Sequence, residues 1–330
     1  MVAIIKSLIA YILSVISVFS FSGLFGNTGN NAYDVKNEEE ILLDFAAISD
    51  IHMSDIIFRD TLLECGLEDM QNAVNKPDAL ILAGDMTDDG LESDYKMLSN
   101  SFSKYNPADN ILLAVGNHDT WTDDNNDYAP AKENFIRYSA EIADRELTEC
   151  YYSTEINGYT FIVMASEGTN VAAYISPAQL SWLRAEMDKA AEKGLPIFVV
   201  SHWPIAFTHG LPESFGDEDY DDLTGSFGAQ NAEVEAILKD YENVFLISGH
   251  IHNGLVSADQ ADYYGYASVE SYGSLHSINL PSYSNLSSRG NFMNGNGYSI
   301  EVYENEVLVR ARNFITGVWF TDYDVTIPLV

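Results

Sequence analysis

The chain has 330 residues, and 46% of them are hydrophobic, so it is long and apolar enough to bury a large core. It carries 16 basic and 50 acidic side chains, which gives a formal net charge of -34 at pH 7. A charge of this sign and size works against binding nucleic acid or another polyanion unless a local cation reverses the field. We therefore expect one large domain and disfavour nucleic acid as a partner.

The first 31 residues differ in pattern from the rest of the chain. Lys6 is followed by an apolar stretch, residues 8–25, and then by a polar segment, residues 26–31. A basic start, an apolar stretch and a small-residue exit are typical of a secretory signal peptide. The stretch is also long enough for an uncleaved membrane anchor, which needs about 17–25 residues. We expect residues 1–31 to be one or the other, and the protein to be extracytoplasmic, either secreted or anchored to a membrane through this segment alone.

The two cysteines, Cys65 and Cys150, leave two interpretations open. In an exported protein they could form a disulfide, and each could equally be a small buried residue. No cluster of cysteines has metal-binding spacing, which excludes a zinc ribbon.

Apolar runs typical of buried strands alternate with stretches of helical spacing in the first part of the chain. The runs cover residues 41–49, 78–83 and 111–115, and the helical stretches cover residues 56–74 and 91–105. Such alternation predicts parallel strand–helix–strand units. In these sheets, ligand-binding groups gather at the carboxyl ends of the strands.

The middle of the chain is less regular. Asn157-Gly158 lies between two alternating runs and predicts a hairpin over residues 152–166. Residues 208–230 are polar without a clear period, and a loop of that length is typically functional or disordered. The other elements predicted here are helices at residues 177–193 and 231–239 and strands at residues 196–200 and 243–247.

From residue 263 to the C-terminus the pattern changes to short alternating strands. We predict them at residues 298–303, 307–314 and 318–327. We expect the strands of this C-terminal part to complete a second sheet.

Side chains that can bind metals or transfer protons follow the predicted strands. They are Asp50, His52, Asp85, Asn117, His118, Asp119, His202, His250 and His252, and they include five of the seven histidines. Each alone has an ordinary explanation as a helix cap or a satisfied core residue. Residues spaced i and i+2 point the same way if the backbone is extended. Carboxylate, imidazole and amide oxygen together suit manganese, iron or zinc, and the set is large enough for two ions.

The order and spacing of these motifs resemble the calcineurin-like metallophosphoesterase superfamily. The matching residues are Asp50-x-His52, Gly84-Asp85, Gly116-Asn117-His118-Asp119, His202 and Gly249-His250-x-His252. The resemblance implies a four-layer α/β/β/α sandwich of two mixed sheets within residues 32–330. It also implies a metal site at the C-terminal ends of the strands.

The resemblance further implies a role for each of these side chains. One metal ion would be held by Asp50, His52, Asp85 and His252. Asp85 would bridge to a second ion, held also by Asn117, His202 and His250. His118, oriented by Asp119, would contact the substrate phosphate and assist the leaving group. The nucleophile would be a hydroxide bridging two ions of manganese, iron or zinc.

One position separates this chain from a branch of the superfamily. Purple acid phosphatases carry a tyrosine three residues after the bridging aspartate, where this chain has Asp88. This difference disfavours a tyrosinate-bound ferric site. The stretch of residues 84–90 resembles the cyclic-nucleotide phosphodiesterase-like branch more closely.

The function predicted from the resemblance is an exported, metal-dependent phosphohydrolase. Its partner would be a small phosphodiester or phosphomonoester, such as a nucleotide or an envelope-derived ester. Two alternatives are a non-catalytic metal- or phosphate-binding protein of the same fold and a nuclease of the superfamily. The complete ligand set argues against the first, and the acidic charge without a Lys/Arg cluster argues against the second.

Several aromatic and acidic residues are candidates for shaping a substrate pocket. They are Trp203, the acidic residues 217–222, Tyr263, Tyr264, Tyr266 and Tyr272. The tyrosines could instead pack a half-buried sheet. The acidic stretch could be a solvated loop or a calcium site, although it lacks EF-hand spacing. We expect His209 and His276 to be structural or solvated.

Overall fold

The computed structural model describes residues 32–56, 58–121, 128–168, 171–213, 223–286 and 291–330. The predictions for residues 1–31 and for the acidic residues 217–222 lie outside these ranges. Among the described helices, none combines the length and apolar character needed to cross a membrane.

Thirteen strands and six α-helices make up the described part of the chain. The strands are β1 (Leu43–Ile48), β2 (Ala79–Ala83), β3 (Asn110–Ala114), β4 (Tyr152–Ile156), β5 (Tyr159–Val163), β6 (Ile197–Val200), β7 (Val244–Ser248), β8 (Val269–Tyr272), β9 (Leu275–Asn279), β10 (Asn296–Val302), β11 (Glu306–Asn313), β12 (Val318–Trp319) and β13 (Val325–Pro328). The helices are α1 (Arg59–Gln71), α2 (Glu92–Phe102), α3 (Tyr128–Ala143), α4 (Pro177–Ala191), α5 (Asn231–Lys239) and α6 (Ala261–Tyr264).

The strands form two mixed sheets. The first has seven strands in the order β12-β11-β10-β1-β2-β3, with β13 paired to β11, and its strands β1 to β3 are parallel. The second has six strands in the order β4-β5-β6-β7-β9-β8, with antiparallel pairs only at its two edges. The parallel strand–helix–strand units and the Asn157-Gly158 hairpin are therefore confirmed.

The prediction that the C-terminal strands complete the second sheet is wrong for β10 to β13. Only β8 and β9 join that sheet, whereas β10 pairs antiparallel with β1 and extends the first sheet. Alternation along a strand indicates which side chains are buried and does not indicate the partner strand. All seven residues of β10 are buried, which fits a position inside a sheet.

The two sheets pack face to face, with helices on their outer faces. Phe45 of β1 makes edge contacts with Phe161 and Phe198 of the second sheet, at ring-centroid distances of 5.2 and 5.0 Å. These three rings belong to a hydrophobic cluster between the two sheets. Ala46 and Ile48, which alternate with Phe45 along β1, belong to a second hydrophobic cluster that contains the buried faces of the helices. The helices α1 to α3 lie on the first sheet, and α4 and α5 lie on the second. The four-layer α/β/β/α arrangement is confirmed.

Both cysteines are free thiols in this fold. Cys65 lies on α1 and is half-buried, and Cys150 is buried just before β4. Of the two interpretations that the sequence left open, the structure shows the thiols rather than a disulfide.

Candidate metal centre

The predicted site residues follow the carboxyl ends of five strands, β1, β2, β3, β6 and β7. Five of them have a positive φ, namely Asp50, His52, Asp85, His250 and His252, with values of 58°, 49°, 46°, 74° and 51°. Asp and His adopt this left-handed region more readily than most residues, although it still costs free energy. The side chains therefore converge through left-handed turns, and the extended backbone that we assumed for the i, i+2 pairs is not observed.

Two glycines let these turns approach each other closely. A Cβ atom at Gly116 would lie 2.2 Å from Asp85 Oδ1, and one at Gly249 would lie 2.0 Å from Ser49 Oγ. Both distances are far below van der Waals contact, so any larger residue would displace the carboxylates at the strand ends.

The first group of candidate ligands contains Asp50, His52, Asp85 and His252, whose donor atoms lie within 4.8 Å of one another. Asp50 Oδ1 is 3.0 Å from His252 Nε2, and the Nε2 atoms of His52 and His252 are 3.1 Å apart. Three of the four residues are buried, and the His252 side chain is 29% exposed. The group is therefore accessible from the side of His252.

The second group contains Asp85, His202 and His250, all buried. His202 Nε2 lies 3.2 Å from Asp85 Oδ2 and 3.1 Å from His250 Nδ1. It also lies 3.2 Å from Asn117 Oδ1. Asp85 belongs to both groups, so the structure brings all seven predicted ligands together around one shared carboxylate.

The donor chemistry of the second group fits a cation. His202 Nδ1 donates to the carbonyl oxygen of Ala83 at 2.8 Å, so in a neutral ring Nε2 carries a lone pair. That lone pair faces the acceptor oxygens of Asp85 and Asn117. Burial lowers the pKa of His202, but Asp85 and Asp50 outweigh it and raise the pKa to about 9. The surroundings thus favour a positive charge at this point, and a divalent metal ion provides one.

Asp88 is hydrogen-bonded to the ring nitrogen of His52 that faces away from the other candidate ligands. The Nδ1 atom of His52 lies 3.2 Å from Asp88 Oδ1, which leaves Nε2 to face the other ligands. Arg59 Nη1 lies 3.3 Å from the same oxygen and also donates to the carbonyl of His52. His52, Asp88 and His118 form a third group of residues whose atoms are close enough to hold a metal ion. In this group, however, the Nδ1 atoms of His52 and His118 are already hydrogen-bonded to Asp88.

The structure corrects the predicted role of Asp119. His118 Nδ1 donates to the carbonyl oxygen of Asp88 at 2.7 Å, so this carbonyl orients the ring. The carboxylate of Asp119 is fully buried and accepts hydrogen bonds from Gly116 N, Thr87 N and Thr87 Oγ1 at 2.8 to 2.9 Å. Burial and the nearby Asp85 raise the pKa of Asp119 to about 6. Asp119 joins the turns after β2 and β3 and does not fix the tautomer of His118.

The half-buried ring of His118 lies between two other rings. Its centroid is 4.5 Å from that of His52 and 4.1 Å from that of Trp121. Its backbone N–H donates to Asp85 Oδ1 at 2.9 Å, which helps to fix the shared carboxylate. Sequence reasoning missed Trp121, although its spacing of three residues from His118 in a tight turn was a usable signal.

The residues predicted to shape a pocket are dispersed. Trp203 is fully buried beside His202, and its Nε1 donates to the carbonyl of Val171 at 2.6 Å. Tyr272 lies on the edge strand β8, and its hydroxyl donates to Glu270. The remaining tyrosines are Tyr263 and Tyr264, which are exposed, and Tyr266, which is buried.

The two remaining histidines have structural contacts, as predicted. The buried ring of His209 bonds to the carbonyl of Ala267 and to Ser277 Oγ at 2.9 and 2.8 Å. His276 on β9 bonds to Ser271 Oγ on the neighbouring strand at 2.8 Å.

Solved structures with this fold include several phosphatases. A dimetal phosphatase from Danio rerio is 12% identical and matches 88% of this chain and 100% of its own, with a TM-score of 0.58. Purple acid phosphatase from yellow lupin is 10% identical and matches 87% of this chain and 53% of its own, also with a TM-score of 0.58. GAP50 of Plasmodium, described as an anchor in the inner membrane complex, is 14% identical, with coverages of 87% and 89% and a TM-score of 0.54. At these identities the likeness establishes the fold alone.

A comparison with curated proteins gave no match. The family model for the calcineurin-like phosphoesterase matches residues 43–254, which is more than half of the chain. This range includes all seven candidate ligands, His118 and Asp119. The chain belongs to the calcineurin-like phosphoesterase family, and its ligand groups are suited to a dinuclear divalent-metal site.

Proposed function

We propose that this protein is an exported hydrolase of small phosphate esters that acts with two divalent metal ions. The observation that carries the proposal is the position of Asp85, whose carboxylate belongs to both ligand groups. A carboxylate shared in this way offsets the repulsion between two cations, and paired cations are a recurrent device for phosphoester hydrolysis.

The seven ligands would hold the two ions in the groups described above. When bound, the ions would supply Lewis acidity and positive charge for the phosphoryl oxygens and for a water nucleophile. That charge also reconciles a protein of net charge -34 with an anionic substrate. No serine or cysteine nucleophile is required.

The chain's own contribution to the proton transfer comes from His118. Because the Asp88 carbonyl accepts the hydrogen on Nδ1, Nε2 is the ring nitrogen that delivers a proton to the oxygen of the leaving group. The ring is half-buried, so it is accessible to a substrate. Asp85 fixes the backbone of the same residue, which couples the position of the acid to the shared carboxylate.

The experiment that tests this proposal compares two chromogenic esters. The full-length protein is stripped with a chelator, reloaded with Mn²⁺ and assayed with bis(p-nitrophenyl) phosphate and p-nitrophenyl phosphate. We expect metal-dependent hydrolysis, and faster cleavage of the diester would agree with the phosphodiesterase-like motif at residues 84–90. An Asn117→Ala variant serves as control, because it removes one ligand oxygen and should lose activity.

A different result would support another function. Two bound metal ions with no hydrolysis of either ester would favour the non-catalytic binding protein. Cleavage of DNA or RNA with a steep salt dependence would favour the nuclease.

Export is the second element of the proposal and rests on the pattern of residues 1–25. We expect the protein in the extracytoplasmic fraction of its cells. N-terminal sequencing of that material would separate a cleaved signal peptide, with a new terminus near residues 31–34, from a retained anchor. Recovery only in the cytoplasm would contradict this part of the proposal.

A further inference from the structure

The turn that carries Asp50 and His52 costs free energy in the form that the structure shows. Both residues have a positive φ, 58° and 49°, which a residue other than glycine keeps only when its surroundings hold it there. Their backbone N–H groups donate to the carbonyls of Gly84 and Asp85 at 3.1 and 2.9 Å, which fixes one side of the turn. The position of these two candidate ligands therefore also depends on what holds the carbonyl side.

Side-chain donors from outside the turn contact all three of its successive carbonyl groups. Ser282 and Ser284 donate to the carbonyls of the two residues before His52. The carbonyl of His52 itself accepts from Arg59 Nη1 and, at 3.4 Å, from Ser54 Oγ. A charged donor makes the stronger hydrogen bond, so Arg59 is the main contact of this carbonyl.

Arg59 is the first residue of α1, and its guanidinium connects α1 with three loops. Besides the His52 carbonyl, Nη1 contacts Asp88 Oδ1 at 3.3 Å, the same oxygen that lies 3.2 Å from His52 Nδ1. Nη2 donates to Asn285 Oδ1 at 3.4 Å. The Arg59 side chain is only 13% exposed, so water competes little for these bonds. One guanidinium thus contacts both the backbone of His52 and the carboxylate that orients its imidazole.

The charge of Arg59 has the wrong sign for a direct contribution to metal binding. Arginine stays protonated in proteins, so its guanidinium repels any cation bound nearby. A benefit of Arg59 to metal binding must therefore come from the geometry that it imposes on His52, and it must exceed this repulsion. The two effects have opposite signs, which makes them separable by experiment.

We propose that Arg59 is a positioning residue of the metal centre, which holds the His52 carbonyl and Asp88 together and thereby aims His52 Nε2 at the first metal ion. This inference deepens the proposed function and rests on it. Of the two ligand groups that share Asp85, only the first contains His52. The affinity for one of the two ions should therefore depend on Arg59 more than the affinity for the other.

Binding of Mn²⁺, measured by calorimetry in competition with a chelator, tests this inference without turnover. Full-length wild type, Arg59→Met and Arg59→Lys are stripped of metal and titrated. Methionine keeps an unbranched apolar stem but removes the charge and the donors, whereas lysine keeps the charge and one donor group. Arg184→Met is the control, because Arg184 on α4 pairs with Asp240 where both side chains are about half exposed.

We expect Arg59→Met to weaken one Mn²⁺ site about 10- to 100-fold and to leave the other unchanged. Arg59→Lys, which should fold even if Arg59→Met does not, should weaken the same site by a smaller factor. The reason is that an ammonium can replace Nη1 but cannot reach Asn285 as well. Arg184→Met should change neither site. Urea unfolding of the metal-free proteins shows separately how much stability each variant has lost.

Two results would overturn the inference and leave the proposed function standing. Unchanged or tighter Mn²⁺ binding in both Arg59 variants would mean that Arg59 acts at the site only through its charge, or not at all. Equal weakening of both sites, in proportion to lost stability and without recovery in Arg59→Lys, would mean that Arg59 supports the fold in general. A wild type that binds no Mn²⁺ would overturn the inference and the proposed function together.

Discussion

His118 and Asp119 are neighbours in the chain, but their side chains have unrelated roles. His118 is half-buried beside the candidate ligands and bonds to a backbone carbonyl, whereas Asp119 is fully buried and accepts hydrogen bonds from two turns. The separation follows from the 3₁₀ turn, in which consecutive side chains point in different directions.

Replacing His118 should impair turnover and leave the metal ions in place. We expect His118→Ala to lower kcat about 10²- to 10⁴-fold, the usual contribution of a positioned acid. Metal content, measured by elemental analysis, should match the wild type. The control is His276→Ala, which removes a histidine of β9 outside the ligand groups and should leave kcat unchanged. Loss of metal from His118→Ala would identify His118 as a ligand instead.

Replacing Asp88 should weaken metal binding. The Asp88 carboxylate accepts from His52 Nδ1, and partners of this kind typically contribute 10- to 100-fold in metal affinity. Asp88→Asn should therefore raise the dissociation constant of Mn²⁺ by about that factor in competition with a chelator. Asp89→Asn, a change of the same charge at the exposed neighbouring position, should have little effect. Equal effects of the two variants would indicate a general electrostatic cause.

At the scale of elements, β3 is the edge strand of the first sheet, and Tyr152 covers its open side. The Tyr152 hydroxyl accepts from Leu113 N and donates to Leu113 O, both at 3.0 Å. The N–H and C=O of Leu113, which an edge strand would otherwise leave without a partner strand, are thereby hydrogen-bonded within the chain.

Removing this hydroxyl should destabilise the fold. Tyr152→Phe leaves a buried N–H and C=O of Leu113 without their partner, and each such loss costs about 1–3 kcal/mol. We expect the free energy of unfolding in urea to fall by about that amount. Tyr174→Phe, at a residue that is 47% exposed, is the matched control and should change little. A Tyr152→Phe variant as stable as the wild type would show that Leu113 has found another partner.

Sequence patterns predicted elements better than their partners. The strands and helices of the parallel units are local patterns, so their positions were predicted to within a few residues. Helix α3 was missed, because its buried face mixes Phe135 and Tyr138 with Ala131 and Ser139, a weak hydrophobic signal. The placement of β10 beside β1 depends on pairing across about 250 residues, which no local pattern encodes.

The candidate ligands were predicted from their positions at strand ends. The hydrogen bonds and backbone turns that orient the side chains of the site were not predicted. The contact of His118 is with a backbone carbonyl, which leaves no side-chain signature in the sequence. The left-handed turns at Asp50 and Asp85 are likewise a tertiary property of these sites. The kind of ligand atom that a side chain offers can be inferred from residue identity, whereas the direction in which it points depends on how the loops pack in the folded protein.

At the scale of the whole molecule, the first sheet carries different chemistry at its two ends. The carboxyl ends of β1 to β3 hold the candidate ligands, and Asp44 lies near the opposite end of β1. It is only 6% exposed, and its backbone N–H donates to Asp78 Oδ2 at 3.1 Å. Burial, Asp78 and Glu301 together raise the pKa of Asp44 from 3.8 to about 7.

This raised pKa predicts how stability depends on pH. Between about pH 4 and 7 the folded protein holds a proton on Asp44 that the unfolded chain has released, so the contribution of this group falls as pH rises through that window. At pH 8 the fold must keep a buried carboxylate beside two others. Asp44→Asn removes that charge, and we expect it to raise the free energy of unfolding by about 2–4 kcal/mol at pH 8.

Urea denaturation at pH 4 and at pH 8 checks this prediction. The gain from Asp44→Asn should be present at pH 8 and vanish at pH 4, where Asp44 is protonated in the folded wild type. Asp322→Asn removes the same charge at an exposed site and corrects for the general effect of lowering a net charge of -34. If the free energy of unfolding rose equally in the two variants at pH 8, the cause would be the lower net charge of the protein and not the site of Asp44. A loss of stability in Asp44→Asn at pH 8 would mean that the carboxylate there is stabilised by its surroundings.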